Sequence, residues 1–164
     1  MQNETHMMSG GCQCGAVRFR CEPDVATAHI CHCRMCQKAV GNFYAALVKV
    51  FDGRLVWTKD EPSEFQSSSA ASRGFCARCG TPLTYRAPDG MFLLIGAFDD
   101  PSKLPPRRQY GIEARCEFVQ TLSSLPASRT SDDFDDQPFL ADLVSHQHPD
   151  HPGEDERSDD EGFR

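Results

Sequence analysis

Seven cysteines form three short clusters whose spacings suit the binding of metal cations. These residues are Cys12 and Cys14, then Cys31, Cys33 and Cys36, and then Cys76 and Cys79. In an extended segment, alternate side chains point to the same side, so Cys-x-Cys presents both sulfurs together. In Cys-x-x-Cys a tight turn does the same. A closed zinc site uses four protein ligands and a catalytic one typically three, so seven cysteines fit one site of each kind. The count alone leaves open which clusters combine.

The cysteine content favours metal binding over disulfides. The chain contains nine cysteines, and the first nine residues are polar and lack the apolar stretch of a secretion signal. An odd number would also leave one cysteine unpaired. We therefore expect a reducing, cytoplasmic location. No apolar run approaches 18 residues, which predicts that the chain does not span a membrane.

Short strands separated by turns must position the clusters. Residues 16–21 alternate, which places Cys21 on an apolar face and predicts a core role for it. Asp52-Gly53 is typical of a hairpin turn. Helix signals are weak, although Arg34–Val40 could form one or two turns and carry Cys36. These patterns predict a mainly β fold. Cys116 and Phe118 are two residues apart, so an extended strand would place both side chains on the same face. Cys116 is therefore likewise expected in the core.

The charge divides the 164-residue chain into a mildly basic body and an acidic tail. Residues 130–164 hold twelve acidic residues against two arginines, a net charge of −10, whereas residues 1–129 carry +3. The basic residues are scattered, so we predict no nucleic-acid partner. The composition predicts an acidic tail, of which at least residues 145–164 are disordered.

Three segments resemble the glutathione-dependent formaldehyde-activating enzyme family, which includes the centromere protein V-like proteins. The matching segments are Gly10-Gly11-Cys12-Gln13-Cys14-Gly15-Ala16-Val17, Cys31-His32-Cys33-Arg34-Met35-Cys36-Gln37-Lys38 and Gly74-Phe75-Cys76-Ala77-Arg78-Cys79-Gly80-Thr81-Pro82-Leu83. The resemblance covers roughly residues 8–126. It implies that they form a zinc-binding β-tent domain of small antiparallel sheets clamped by zinc, which the acidic tail, residues 127–164, follows. Formaldehyde-activating members often have a histidine where this chain has Gln109, and usually a tryptophan where it has Phe118.

The resemblance also implies two zinc ions per chain and assigns their ligands. A structural zinc would bind Cys12, Cys14, Cys76 and Cys79, and a catalytic zinc with an open position would bind Cys31, Cys33 and Cys36. The implied activity is that of a carbon–sulfur lyase acting on a small, glutathione-like thiol–aldehyde adduct. The alternative is a zinc-stabilised protein-interaction module without catalysis, in which a further protein ligand closes the second site. The sequence does not determine the oligomeric state.

Other polar residues have both a functional and a structural interpretation. His32 lies between two cysteines, but adjacent residues of a strand point to opposite faces, so we do not expect it to bind the same metal. The tail histidines His146, His148 and His151 could contact a metal or be solvated. A substrate carboxylate could bind Arg107, Arg108 and Arg115, which otherwise form a solvated edge. Glu113 is a candidate proton carrier.

Overall fold

The computed structural model describes residues 7–151, and strands account for most of their regular structure. The strands are β1 (Met8–Gly11), β2 (Arg18–Cys31), β3 (Ala45–Trp57), β4 (Ser63–Gln66), β5 (Ser72–Phe75), β6 (Pro82–Ala87), β7 (Gly90–Leu94) and β8 (Arg108–Tyr110). The α-helix α1 spans Arg34–Val40, as the sequence predicts. Short 3₁₀ helices cover Ile95–Ala97, Pro101–Lys103, Ile112–Ala114, Glu117–Ser124, Thr130–Asp133 and Pro138–Leu140. The predicted mainly β fold is confirmed.

The eight strands form one hydrogen-bonded sheet. Its order is β1-β2-β3-β7-β6-β5-β4, and β8 lies parallel to β2 beside this path. All neighbours along the path are antiparallel. The sheet is continuous because β3 pairs with β2 on one side and with β7 on the other. It thereby connects the parts of the chain that carry the three cysteine clusters.

The predicted hairpin at Asp52-Gly53 is wrong, because the chain passes through these residues without reversing. The two halves of β3 do not pair with each other but both pair with β2. Val50 lies opposite Pro23 and Leu55 lies opposite Cys21, so four residues of β3 oppose one residue of β2. Gly53 has a φ of 71° within this bulge. A left-handed glycine serves a bulge as well as a turn, so the local sequence could not distinguish them.

The core lies against β2, β3, β6 and β7. Phe19 is fully buried, and its ring makes edge-to-face contacts with Trp57 and Phe98 at centroid distances of 6.0 and 5.1 Å. Leu83 and Leu93 are also fully buried in this cluster. The core also contains Cys21, so its predicted role is confirmed.

A buried ion pair ties β2 to the segment after the first 3₁₀ helix. Arg18 is 2% exposed, and its two terminal nitrogens donate to the two Asp99 carboxylate oxygens at 2.8 and 2.7 Å. Asp99 also accepts a hydrogen bond of 2.6 Å from the Ser9 hydroxyl. A bidentate arginine–carboxylate pair is strong when it is sheltered from water.

After residue 126 the described chain contains only 3₁₀ turns and irregular backbone. Within this tail, residues 145–151 belong to no helix or strand, and the rest of the predicted disordered segment, 152–164, lies outside the described residues. None of the helices in the described chain is long and apolar enough to cross a membrane.

Candidate metal centres

The first and third cysteine clusters meet to form a group of four thiols. Cys12 and Cys14 follow β1, whereas Cys76 and Cys79 lie in the turn between β5 and β6. Their four sulfurs all lie within 4.8 Å of one another. The Sγ atoms of Cys12 and Cys14 are 3.5 Å apart, and those of Cys14 and Cys76 are 3.8 Å apart.

This geometry fits a tetrahedral zinc ion. A zinc–sulfur bond of about 2.3 Å places the sulfurs of a tetrahedral site about 3.8 Å apart. The turns also direct hydrogen-bond donors at the sulfurs. The Val17 backbone N–H donates to Cys12 Sγ at 3.2 Å, and the Thr81 hydroxyl oxygen lies 3.2 Å from Cys79 Sγ. Such donors stabilise thiolates, the form in which cysteine binds metal.

The cysteines of this group differ in their acidity. Burial raises the pKa of Cys12 to about 12, although the hydrogen bond from Val17 opposes this effect. For Cys79, burial also acts to raise the pKa, but the Thr81 hydroxyl, the Thr81 backbone and Cys14 outweigh it and lower the value to about 6. The hydrogen bonds at Cys79 thus favour its thiolate, whereas the Cys12 thiolate needs a cation to compensate for burial.

The second cluster forms a separate group of three thiols. Cys31 ends β2, Cys33 is the N-cap of α1, and Cys36 lies in the first turn of the helix. Their sulfurs lie within 4.8 Å of one another, and no fourth His, Cys, Asp or Glu of residues 7–151 joins the group. Three sulfurs at this spacing fit a zinc ion that retains an open position. The Cys36 backbone N–H donates to Cys33 Sγ at 3.4 Å, so this sulfur also caps the helix.

The three-cysteine group borders a cavity of about 710 Å³. Its wall contains Cys31, Cys33 and Cys36 but none of the four cysteines of the other group. The charged lining residues are four bases and one acid, namely Lys49, Arg73, Arg107, Arg108 and Asp89. Aromatic rings of His29, Tyr85, Phe92 and Tyr110 line it as well. The cavity therefore combines an apolar wall with an excess of positive charge beside three thiols.

Comparison with known proteins identifies the family. The family model described as "Glutathione-dependent formaldehyde-activating enzyme" matches residues 7–114, which is more than half of the chain. The chain belongs to this family. A Halomonas elongata protein, provisionally named a glutathione-dependent formaldehyde-activating enzyme, is 30% identical over 129 residues, which cover 71% of this chain and 82% of the relative. A crystal structure of a Rhodobacter sphaeroides protein is 22% identical, covers 62% of this chain and 99% of its own, and has a TM-score of 0.49.

In this member of the formaldehyde-activating family, the buried His32 connects the three-cysteine loop to β8. The His32 side chain is fully buried and does not join the metal-binding groups found in the described residues. Its Nε2 lies 2.8 Å from Gln109 Oε1, and because an amide oxygen can only accept, Nε2 carries the proton. The His32 backbone N–H donates to the Tyr110 carbonyl at 2.9 Å. Gln109 and Tyr110 of β8 thus hold the loop that carries Cys31 and Cys33.

The segment after β8 also approaches this loop closely. The Gln37 side-chain amide donates to the carbonyls of His32 and Ala114 at 2.7 and 3.0 Å. Gly111 has a φ of 63°, and a Cβ atom there would lie 2.8 Å from the Cys33 nitrogen. This position requires glycine for both its backbone conformation and its contact with the cysteine loop.

Arg73 is a site residue that the sequence did not indicate. Its side chain is buried, and Nη2 donates to Cys36 Sγ at 3.3 Å. The Cys31 thiol and then Arg73 stabilise the Cys36 thiolate and, against the effect of burial, lower its pKa to about 5. The same interaction with Cys36, together with burial, raises the pKa of Cys31. Arg73 and Cys36 are 37 residues apart, so no local spacing could reveal this contact.

The remaining candidates separate into those at the cavity and those away from it. Arg107 and Arg108 line the cavity, whereas Arg115 and Glu113 do not. Cys116 is only partly buried and precedes the 3₁₀ helix Glu117–Ser124, so its predicted core role is wrong. The prediction assumed an extended strand, in which Cys116 and Phe118 would point to the same face, but a 3₁₀ helix begins at Glu117.

The tail histidines lie outside both thiol groups, as far as the described residues show. His148 nevertheless contacts the first cluster. Its backbone N–H donates to the Gln13 carbonyl at 2.7 Å, and its ring occupies the space where a side chain at Gly15 would lie. The described part of the tail therefore contacts the chain between Cys12 and Gly15 through its backbone and an imidazole ring.

Proposed function

We propose that this chain is a zinc-dependent enzyme of the carbon–sulfur lyase type. It would form or cleave a small adduct between a glutathione-like thiol and an aldehyde. The observation that carries this proposal is the asymmetry of the two thiol groups. The three-cysteine group has no fourth ligand among residues 7–151, and all three of its cysteines border the 710 Å³ cavity. The four-cysteine group is complete, and only Cys12 and Cys79 of it border a different cavity, of about 390 Å³. Membership of a family described by glutathione-dependent formaldehyde activation supports the same chemistry.

The four-cysteine group is proposed as the structural zinc site. Its ligands, Cys12, Cys14, Cys76 and Cys79, would use all four tetrahedral positions, so no position remains for a substrate. The ligands come from two turns that are distant in sequence. Zinc binding here would therefore contribute to folding rather than to catalysis.

The three-cysteine group is proposed as the catalytic zinc site. Zinc bound there by Cys31, Cys33 and Cys36 would supply a Lewis acid that ionises a substrate thiol at the open position. An ordinary thiol of pKa about 8.5 is only about 3% ionised at pH 7, so full ionisation contributes about 30-fold, or about 2 kcal/mol. The lower basicity of a bound thiolate reduces this gain. Correct placement of the aldehyde must therefore supply most of the rate enhancement.

The cavity residues would bind the substrate and handle its protons. Adding a thiol to an aldehyde forms the sulfur–carbon bond, removes the thiol proton and places a proton on the carbonyl oxygen. Arg107 and Arg108 are suited to bind a substrate carboxylate because a guanidinium pairs with it bidentately. His29 Nδ1 lies 2.8 Å from the Thr27 carbonyl and donates to it, which leaves Nε2 as a proton acceptor. His29 is thus a better-placed proton carrier than Glu113, which does not line the cavity.

The alternative function, a protein-interaction module without catalysis, has less support. It would require a fourth protein ligand at the second site and no substrate pocket. Within residues 7–151 no fourth His, Cys, Asp or Glu lies in the three-cysteine group, and a cavity adjoins it. Incubating the zinc-loaded protein with glutathione and formaldehyde tests the proposal. Adduct formation or cleavage should exceed the spontaneous rate, and a rate equal to that of buffer would refute the proposed function.

A further inference from the structure

Arg73 is a buried cation without a carboxylate partner among the described residues. Its side chain, on β5, is 5% exposed. Nε donates to the Ser67 hydroxyl at 3.0 Å, Nη2 donates to Cys36 Sγ at 3.3 Å, and the guanidinium lies 4.7 Å from the centre of the Tyr85 ring. A buried charge is costly unless an anion compensates for it. The anionic partner that these contacts provide is the Cys36 sulfur.

The net charge of the proposed zinc site explains how the contact between Arg73 and Cys36 would affect metal and thiol binding. Zinc with three thiolates carries a net charge of −1, which the guanidinium of Arg73 would neutralise. A substrate thiolate at the open position adds a further negative charge. The four-cysteine group has a different environment, because Arg78 in its loop is 73% exposed and lies 3.5 Å from Asp60. Solvent therefore screens the charge of Arg78 far more than that of Arg73, which is 5% exposed.

We propose that Arg73 is a positioning residue of the three-cysteine site. It holds the Cys36 thiolate by a charge-assisted hydrogen bond and compensates the negative charge that a fourth, exogenous thiolate brings to the metal. This inference rests on the proposed function for the identity of the open site. Arg73 would act through its hydrogen bond to Cys36 and through the electrostatic effect of its charge on the metal site. It would not contact the reacting carbonyl group.

Arg73 has two possible roles at this site, compensating the charge of the bound thiolate or binding a carboxylate elsewhere on the substrate. Arg73 also lines the cavity and could instead bind a substrate carboxylate. 2-Mercaptoethanol lacks a carboxylate, whereas thioglycolate carries one, so the two thiols separate these roles. If Arg73 compensates thiolate charge, R73M weakens the binding of both thiols. If it only binds carboxylate, R73M weakens the binding of thioglycolate alone.

The experiment uses the full chain with cobalt(II) in place of zinc and titrates it with each thiol. The cobalt absorption spectrum reports sulfur entering the open position. Partners that orient metal ligands typically contribute about 10–100-fold to metal affinity or activity, so R73M should bind 2-mercaptoethanol at least about 10-fold more weakly. R73K should recover part of this loss because it keeps the charge but lacks the planar donor fork. The matched control R78M, in the loop of the other site, should bind thiol as the wild type does.

Zinc affinity, measured by competition with a chelator, provides a readout that is independent of thiol binding. R73M should release one of two zinc ions more readily, and R78M should not. Unchanged affinity for 2-mercaptoethanol in R73M would overturn the proposal, as would a loss confined to thioglycolate. If R73M does not fold, R73Q removes the charge while retaining donors, and wild-type affinities in R73Q would overturn it equally. If the wild type binds no thiol, the proposed function fails, and zinc affinity alone then decides the role of Arg73.

Discussion

The Sγ atoms of Cys14 and Cys76 lie 3.8 Å apart although 62 residues separate them in the chain. Cys14 belongs to the turn that leads from β1 to β2, and Cys76 to the turn between β5 and β6. These elements lie in opposite halves of the sheet order. A zinc ion at the four-cysteine group would therefore connect distant parts of the fold.

Replacing Cys79 by serine should unfold the protein or make it insoluble, with loss of zinc. A structural zinc contributes folding free energy of order 10 kcal/mol in small zinc-binding peptides, and this linkage would be lost. The measurements are a thermal unfolding curve and the zinc content of the soluble fraction. C116S, which changes a cysteine outside both groups, serves as the control and should keep its zinc. A soluble C79S protein with an unchanged thermal midpoint would rule out this site as structural.

Replacing Asp99 by asparagine should destabilise the fold by about 1.5–3 kcal/mol, because it removes the carboxylate that accepts two hydrogen bonds from the buried Arg18 side chain. The neighbouring D100N change, at a more exposed carboxylate, should leave the stability close to that of the wild type. Urea unfolding of both variants measures the difference. Equal stabilities would show that the Arg18–Asp99 pair contributes little.

The Arg18–Asp99 pair should also make the stability of the fold depend on pH. Burial acts to raise the pKa of Asp99, but the hydrogen bonds from Arg18 and Ser9 and the charge of Arg18 outweigh it, so the pKa lies below its usual range. The pair therefore stabilises the fold fully above the unfolded carboxyl value of about 3.9, and this contribution is lost as the pH falls through the folded value. In D99N, the free energy of unfolding should therefore decrease less than in the wild type as the pH falls below about 3.9. Urea unfolding at a series of acidic pH values measures this, and an equal decrease in both proteins would contradict the assignment.

The sequence predicted the local features of the site better than the long-range ones. Each cysteine cluster and the helix that carries Cys36 depend on spacings of a few residues, and the structure contains both. The contact between Arg73 and Cys36 depends instead on β5 approaching α1, which no local pattern encodes. The bulge at Asp52-Gly53 was predicted as a hairpin for the same reason, because pairing of both halves of β3 with β2 is a tertiary property.

Replacing Gly111 by alanine should impair the three-cysteine site more than the four-cysteine site. The added Cβ would lie 2.8 Å from the Cys33 nitrogen, so the loop must move. G53A provides a matched control, because Gly53 also has a positive φ but an added Cβ meets no atom within 4 Å. Both variants incur the backbone strain of a left-handed alanine, of order 1 kcal/mol. G111A should in addition bind about one zinc ion fewer, and equal zinc contents would contradict the proposed packing.

Removing residues 145–164 should leave the rest of the chain folded. Within the described part of this segment, the contacts with the body include the hydrogen bond from His148 to Gln13 and the packing of its ring at Gly15. A hydrogen bond of this kind contributes about 1 kcal/mol, so the thermal midpoint should change by only a few degrees. Zinc content should be unchanged. Loss of one zinc ion on truncation would instead identify a tail histidine as a ligand.

The central claim is that the two thiol groups have different roles, and C33A tests it most directly. Because Cys33 also caps α1, its loss should cost about 1 kcal/mol, and C33S keeps an oxygen for the cap while changing the metal ligand. The decisive measurement is the rate at which C33A and C33S cleave the glutathione–formaldehyde adduct, with zinc content and melting curves from the same preparations. We expect both variants to be folded, to contain about one zinc ion fewer and to lose enzymatic cleavage. Wild-type rates in both variants, or unfolding as severe as that of C79S, would contradict the division into a structural and a catalytic site.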